Sequence, residues 1–197
     1  AGAAAVGVEM SSKSIHLPGF QGALINPKPW LAAHDHLFLP VWRAFTHGDF
    51  NEFNILVTED LHCWLIDFYR TGLGHILRDV VELETVIKFN LTETANLTDY
   101  QQLENSLLGQ RSIEQPQEPD ENNPYYKSFV VVEHLRNLTL PFTSVRDNQQ
   151  VEYNLSLLLT TLNLLRYNFM RAHHPKVLLS AALLCSWLDD KIPSTHP

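Results

Sequence analysis

The sequence predicts an α+β fold, mostly α, in which one small β-hairpin packs on a helical bundle. Three observations predict it. Phe53 to Val57 and His62 to Phe68 are short apolar runs on either side of the turn-like Thr58-Glu59-Asp60, the pattern of a hairpin. From Gly74 onward the apolar period changes. Ile76, Leu77, Val80, Leu83, Val86 and Ile87 recur mostly at steps of three and four, the stripe of a core-facing helix. Finally, the chain has 197 residues, 45% of them hydrophobic, enough to bury the core of one domain.

In chain order, residues 1–40 are poorly patterned, with a short helical signal only in Pro27 to Leu37, through Trp30, Leu31 and Leu37. Residues 41–197 form the domain proper. Leu39 to Phe45 is apolar and leads into the hairpin. After the Gly74 helix, Thr98 with Gln101 three residues on resembles a capping box, opening a helix that ends near Gly109. Residues 111–124 are rich in Glu, Gln, Pro, Asp and Asn and read as an exposed, mobile loop, an insertion or a substrate lid. Tyr125 to Leu138 is helical, with Phe129, Val132, Leu135 and Leu138 along one side. Asp147 is placed to cap a long helix through Val151, Leu155, Leu158, Leu162, Leu165 and Phe169. Pro175, after the loop-like His173-His174, suits the first turn of a last helix ending near Asp190.

Twenty-two acidic against fourteen basic residues give a formal net charge of −8, which argues against nucleic acid or an anionic membrane as a partner surface. Cys63 and Cys185 stand far apart in apolar runs and read as reduced core residues. Residues 1–10 lack the basic start and long apolar run of a secretory leader. The longest apolar stretch, Val177 to Leu188, is interrupted by Ser180 and Ser186 and is too short to span a bilayer. The expected location is cytoplasmic. His34-Asp35-His36 has the residue types of a metal site, but adjacent positions point in different directions, and the triplet reads as a solvated helix end.

The polar residues that matter are those set into the apolar hairpin. In THGDFNEFNILVTEDLHCWLIDF, Thr46 to Phe68, Asn54 follows Asp49 by five residues and Asp67 follows Asn54 by thirteen. Strand ends of a hairpin can bring Asn54 and Asp67 side by side on rigid backbone. Gly48-Asp49 alone could be a simple turn; the whole spaced set is far more specific.

This segment resembles the catalytic half of the protein-kinase-like phosphotransferases, in the aminoglycoside phosphotransferase and choline kinase branch. His47, Gly48, Asp49 and Asn54 match that branch's H-G-D-x-x-x-x-N loop, and Ile66, Asp67 and Phe68 match its later I-D-F. Arg70 to Asp79 resembles its continuation into a buried aspartate. A narrower resemblance is to the kinase-like ternary complex associated domains of bacterial conflict systems, which read much like LIDFARTGRGH followed by RD. The match covers residues 46–90 well and the helical remainder in outline.

The resemblance implies a kinase-like C-lobe that moves the terminal phosphate of ATP, or another nucleoside triphosphate, to an acceptor hydroxyl. Asp49 would orient or deprotonate that hydroxyl, and Asn54 and Asp67 would hold Mg²⁺. A hard cation of this kind takes oxygen ligands, a carboxylate or two plus substrate phosphates. Asn51 stands where protein kinases have a phosphate-touching lysine, and would donate a hydrogen bond without charge. His47 and Asp79 would support the loop, the aspartate by hydrogen bonds to its backbone. Arg70 and Arg78 would pair with carboxylates or reach the phosphates.

Two departures bear on function. Tyr69 replaces the glycine usual after I-D-F. Residues 1–46 hold no G-x-G-x-x-G run and no strand lysine, because Lys13 and Lys28 lie outside strand-like context; Thr85-Val86-Ile87-Lys88 mimics the strand signature but lies on a helix. Residues 1–40 are therefore expected to be a lead-in from an N-lobe outside this sequence, with an N-lobe or other domains of the parent chain as partners. The alternative is a non-catalytic kinase-like regulatory or interaction module of a larger bacterial protein.

Overall fold

The computed structural model describes residues 12–37, 39–94, 96–109, 119–143 and 149–192. It is α+β and mostly helical. Strands β1 (Ser14–Ile15) and β2 (Leu24–Ile25) pair antiparallel, as do β3 (Arg43–Thr46) with β6 (Gly72–His75), and β4 (Ile55–Val57) with β5 (Cys63–Leu65). Helices α1 (Pro27–Ala33), α2 (Arg78–Val86), α3 (Leu97–Gly109), α4 (Tyr126–Thr139), α5 (Gln149–Asn163) and α6 (His174–Lys191) make the rest, with a π turn (Ile87–Leu91) after α2.

α6 is the spine. Leu178, Leu179 and Ala182 face a cluster with Ile15, Leu17, Phe89, Tyr100, Phe129 and Val132. Its Ala181, Leu184, Cys185 and Leu188 face a second cluster with Trp30, Leu77, Val81, Tyr153 and Leu157. A helix apolar on nearly every side is one that neighbours surround. Pro175 sits in its first turn, where a missing N–H costs nothing.

Residues 12–37, read as poorly patterned, pack into this same core. Ile15, Leu17 and Leu24 are buried, and the fully buried Asn26 caps α1 by accepting from the Lys28 N–H at 3.1 Å. Trp30 Nε1 donates to Asp189 on α6 at 3.0 Å. His34 ends α1, its Nδ1 2.8 Å from the Trp30 carbonyl.

Several expectations change. The helix read from Gly74 begins at Arg78, because Gly72-Leu73-Gly74-His75 instead pairs with β3 in the register Thr46↔Gly72 to Arg43↔His75. Gly74 fits there because an added Cβ would stand 3.0 Å from Thr46 Oγ1. The cap of α3 is Asn96, whose Oδ1 accepts from the Thr98 and Asp99 N–H groups at 2.8 and 3.0 Å, so Thr98 is inside the helix. Leu138 points outward, and Cys63 is exposed on β5 while Cys185 is buried. α5 ends at Asn163, and 3₁₀ turns at Leu164–Arg166 and Asn168–His173 swing Phe169 to 77% exposure, off the apolar stripe assigned to it. Asp147 and most of the 111–124 loop lie outside the described residues. Among the described residues no helix is long and apolar enough to cross a membrane.

Lys88 of the kinase look-alike is fully buried on the π turn, where it pairs with Glu104 at 2.8 Å and donates to Ser180 at 3.1 Å. Glu84, Arg136, Tyr100 and Tyr153 complete a buried network of two acids and two cations.

Candidate functional site

β3 delivers the chain to His47 and Gly48, where it must turn sharply. Gly48 has φ +84, a left-handed value that glycine adopts without penalty. A Cβ there would meet the Arg70 carbonyl at 2.3 Å and Arg78 Nη1 at 3.0 Å, so space as well as conformation demands glycine. Two adjacent residues of α2 clamp the turn. Asp79 accepts from the His47 N–H at 2.6 Å and from the Gly48 N–H at 2.8 Å. Arg78 donates through Nη2 to the Gly48 carbonyl at 2.6 Å. All three bonds involve a charged group, a class contributing about 1.5–3 kcal/mol each. Asp79→Ala is thus expected to lower unfolding free energy by at least about 2 kcal/mol, readable as a reduced urea midpoint. Asp79→Asn, which keeps one acceptor, should lose less.

Beyond the turn, Asn51 caps a 3₁₀ turn (Glu52–Asn54) by accepting from the Phe53 N–H at 3.0 Å, and its Nδ2 donates to the Asp49 carbonyl at 3.3 Å. Its side chain is therefore already engaged in shaping the loop. Asn54, buried at the end of that turn, donates through Nδ2 to the Asp49 carbonyl at 2.8 Å and reaches Asp49 Oδ2 at 3.5 Å. A carbonyl can only accept, so this bond fixes the amide orientation and leaves the Asn54 Oδ1 oxygen as the free end.

The hairpin brings Asp67 to the same place. The Ile66 N–H donates to the Asn54 carbonyl at 3.1 Å, and the register pairs Ile55 with Leu65. Asp67, next along, has φ 61 and ψ 60, a left-handed conformation uncommon outside glycine but tolerated by aspartate. It is exposed, and its carboxylate has no hydrogen-bond or ion-pair partner among the described residues. His47 holds the strand end: its buried ring places Nε2 2.8 Å from the Ile66 carbonyl, so Nε2–H donates, and the ring packs on Phe68 and Phe50 with centroids 4.8 and 5.8 Å away. Arg70 Nη1 lies 3.3 Å from Asp49 Oδ1.

Asp49, Asn54 and Asp67 thus gather at one end of the hairpin, with Asn51, His47 and Asp79 positioning the backbone around them. Among the described residues no three His, Cys, Asp or Glu side chains converge on one point. What the chain offers a cation is one unpartnered carboxylate and one amide oxygen, the partial oxygen set that Mg²⁺ completes with phosphate and water.

Beside Asp49 opens a cleft of about 250 Å³, walled by Glu52 and Phe53, by Glu82 on α2 and by Tyr167 and Phe169 on the 3₁₀ turns. Burial pushes the Glu82 carboxyl above its ordinary range; the Asp49 and Asp79 charges add to this, against the Phe50 N–H and Arg78. Sequence reading missed Glu82, Tyr167 and Phe169. Glu82 stands three residues after Asp79, one helical turn along the same face, a signal that was available.

The fold and site together define a mostly helical α+β domain with a cleft of acidic and aromatic side chains beside a small hairpin. The chain belongs to the ternary complex associated domain 9 family, whose model matches residues 17–166, a range that holds Asp49, Asn54, Asp67, Asp79 and Glu82 but not Tyr167 or Phe169. No curated protein and no solved structure matches it.

Proposed function

We propose that this domain is the C-lobe of a kinase-like phosphotransferase that moves the terminal phosphate of a nucleoside triphosphate to an acceptor hydroxyl. One observation carries the reading: Asn54 is locked onto Asp49 with its amide oxygen left open, near an Asp67 carboxylate that no side chain among the described residues engages. Asn54 and Asp67 would hold Mg²⁺, which neutralises phosphate charge when bound. The acceptor oxygen forms a bond to the γ-phosphorus, the bond from phosphorus to the β-bridging oxygen breaks, and the nucleoside diphosphate leaves. Asp49 receives the hydroxyl proton or orients the hydroxyl. The Arg70 guanidinium, 3.3 Å from Asp49 Oδ1, helps to orient that carboxylate. A cytoplasmic setting would supply both nucleotide and magnesium.

A triphosphate also needs cationic neighbours. Arg70 is paired with Asp49, Arg78 with Gly48, and Lys88 is sealed in the core. Around the hairpin, Trp42, Phe45, Phe53, Trp64, Phe68 and Tyr69 are all exposed, with Tyr69 at 93%. Apolar surface on this scale marks an interaction site. In our reading an N-lobe or another domain of the parent chain covers this face and brings the missing cation.

That same surface favours the second reading, a non-catalytic interaction module, which the family name's reference to a ternary complex also suits. Calorimetric titration of the parent protein with ATP, with and without magnesium, separates the two. Asp67→Ala is expected to weaken magnesium-dependent binding about tenfold or more, the loss of one charged ligand contact. Equal binding by wild type and variant would sink the phosphotransferase reading and leave the interaction module.

A further inference from the structure

The corner between β6 and α2 carries a histidine, His75, that phosphoryl transfer leaves unused. The four residues after it are each tied by a hydrogen bond. The Ile76 N–H donates to the Trp42 carbonyl at 3.0 Å, the Leu77 N–H donates to His75 Nδ1 at 3.1 Å, and Arg78 and Asp79 clamp the Gly48 turn. Leu77 is 0% exposed, so water cannot take the place of the imidazole. A ring nitrogen that accepts carries no proton, which puts the His75 proton on Nε2. That nitrogen lies 3.3 Å from Oε1 of Glu152, a carboxylate buried on α5.

We propose that His75 is a positioning residue that works as a proton-operated latch. With its one proton turned to Glu152, it holds the entry to α2 and so the Arg78–Asp79 clamp on the Gly48 turn. A second proton, on Nδ1, undoes that hold. The protonated Nδ1 is a donor facing a donor, and the Leu77 N–H is left buried without an acceptor. The charges around the ring come from three elements. On β3, Arg43 stands opposite in register, its Nη2 turned to the Leu73 carbonyl at 3.0 Å. α5 supplies Glu152, and α2 opens with Arg78 and Asp79, both turned to the loop. Burial holds the imidazole below the ordinary histidine range, and Glu152 pulls it the other way. The ring is therefore neutral at neutral pH, and release belongs to acid below about 6.5. The turn that responds is the one leading into Asp49, yet the latch is a property of the fold and stands whether or not phosphate is transferred there.

The test is an NMR titration of the full chain from about pH 8 to about pH 5, the range in which histidine changes charge. Long-range nitrogen–proton spectra of the His75 ring are expected to show the Nε2–H tautomer at the start. As pH falls, the amides of His47, Gly48 and Leu77 should shift with the ring's own midpoint. Protection of the Leu77 amide against hydrogen exchange should fall about tenfold, as for one buried hydrogen bond. His75→Asn is the control. An asparagine oxygen accepts from the N–H two residues on without titrating. The His47 and Gly48 amides should then keep their high-pH positions and lose the pH response, whereas His75→Ala should displace them at every pH. Glu152→Gln removes the charge that favours the second proton and should move the ring midpoint down. The proposal is overturned if the ring is the Nδ1–H tautomer, if the amides stay still while the ring titrates, or if Glu152→Gln leaves the midpoint in place. It is equally overturned if the response survives His75→Asn, which would hand it to His47 in the turn itself. The tautomer and the amide response are read on the wild-type chain, so they decide even where a variant fails to fold.

Discussion

Asp49→Asn is expected to slow phosphoryl transfer by the parent protein by about 10²- to 10⁴-fold, the usual range for a lost proton acceptor, while magnesium–nucleotide affinity stays nearly constant. The asparagine is isosteric and keeps an oxygen for Asn54 Nδ2, so the loop retains its shape. What it loses is the ability to take a proton and the attraction to Arg70. That ion pair is largely exposed on the arginine side, and pairs of this kind contribute about 1 kcal/mol or less to stability. A coupled assay for nucleoside diphosphate release, with circular dichroism on the same sample, separates chemistry from folding. Unchanged turnover in a folded variant would remove Asp49 from the reaction.

The largest loss of stability is expected at Glu84, which touches no part of the site. Its carboxylate is fully buried and accepts from Arg136 Nε at 2.8 Å and from the Tyr153 hydroxyl at 2.6 Å, with a second Arg136 contact through Nη2 and Lys88 Nζ at 3.8 Å. Burial pushes its pKa up, but the Arg136 charge and hydrogen bonds, with Lys88 behind them, override this and hold it at about 2. Glu84→Ala leaves the Arg136 guanidinium buried without a counter-charge of its own, held by the Leu107 carbonyl 2.8 Å from Nη1 and lying over the Tyr153 ring. Breaking a buried pair from one side costs about 3–5 kcal/mol, a large part of a typical domain's total of about 5–15 kcal/mol. The thermal midpoint should fall by about 10 °C or more. Replacing both partners, as in Glu84→Met with Arg136→Met, should recover much of the loss, because no charge is then stranded. If Glu84→Ala melted with the wild type, the network would be a bystander.

The same carboxylate sets a pH dependence. Its folded pKa lies below the unfolded value, so its contribution is complete above the ordinary glutamate range and is lost as pH falls toward about 2. Urea midpoints measured down through this range should drop more steeply for the wild type than for the double methionine variant.

How legible was this in the sequence? The hairpin was, because a turn of Thr58-Glu59-Asp60 between two apolar runs has few other outcomes. So was α6, from Pro175 and an aliphatic run broken only by Ser180 and Ser186. The spacing of Asn54 and Asp67 was readable because one precedes the first strand of the hairpin and the other follows the second, so strand pairing carries both to the same open end. The β3–β6 ladder was not. Two glycines in Gly72 to His75 give no strand propensity, and only the partner strand makes them extended. Cys63 reads as core but is exposed on β5, because apolarity on both faces of a strand looks the same whether the second face is covered by this chain or by another surface. The buried charges escaped for a related reason. Glu84 and Arg136 are 52 positions apart, and nothing local announces that each shields the other.

The two-sided packing of α6 has a consequence for how the molecule comes apart. One helix supplies residues to both apolar clusters, so neither can loosen without exposing the other. Heat or denaturant should therefore undo the helical body in one concerted transition, and amides along α6 should be the last to exchange their hydrogens.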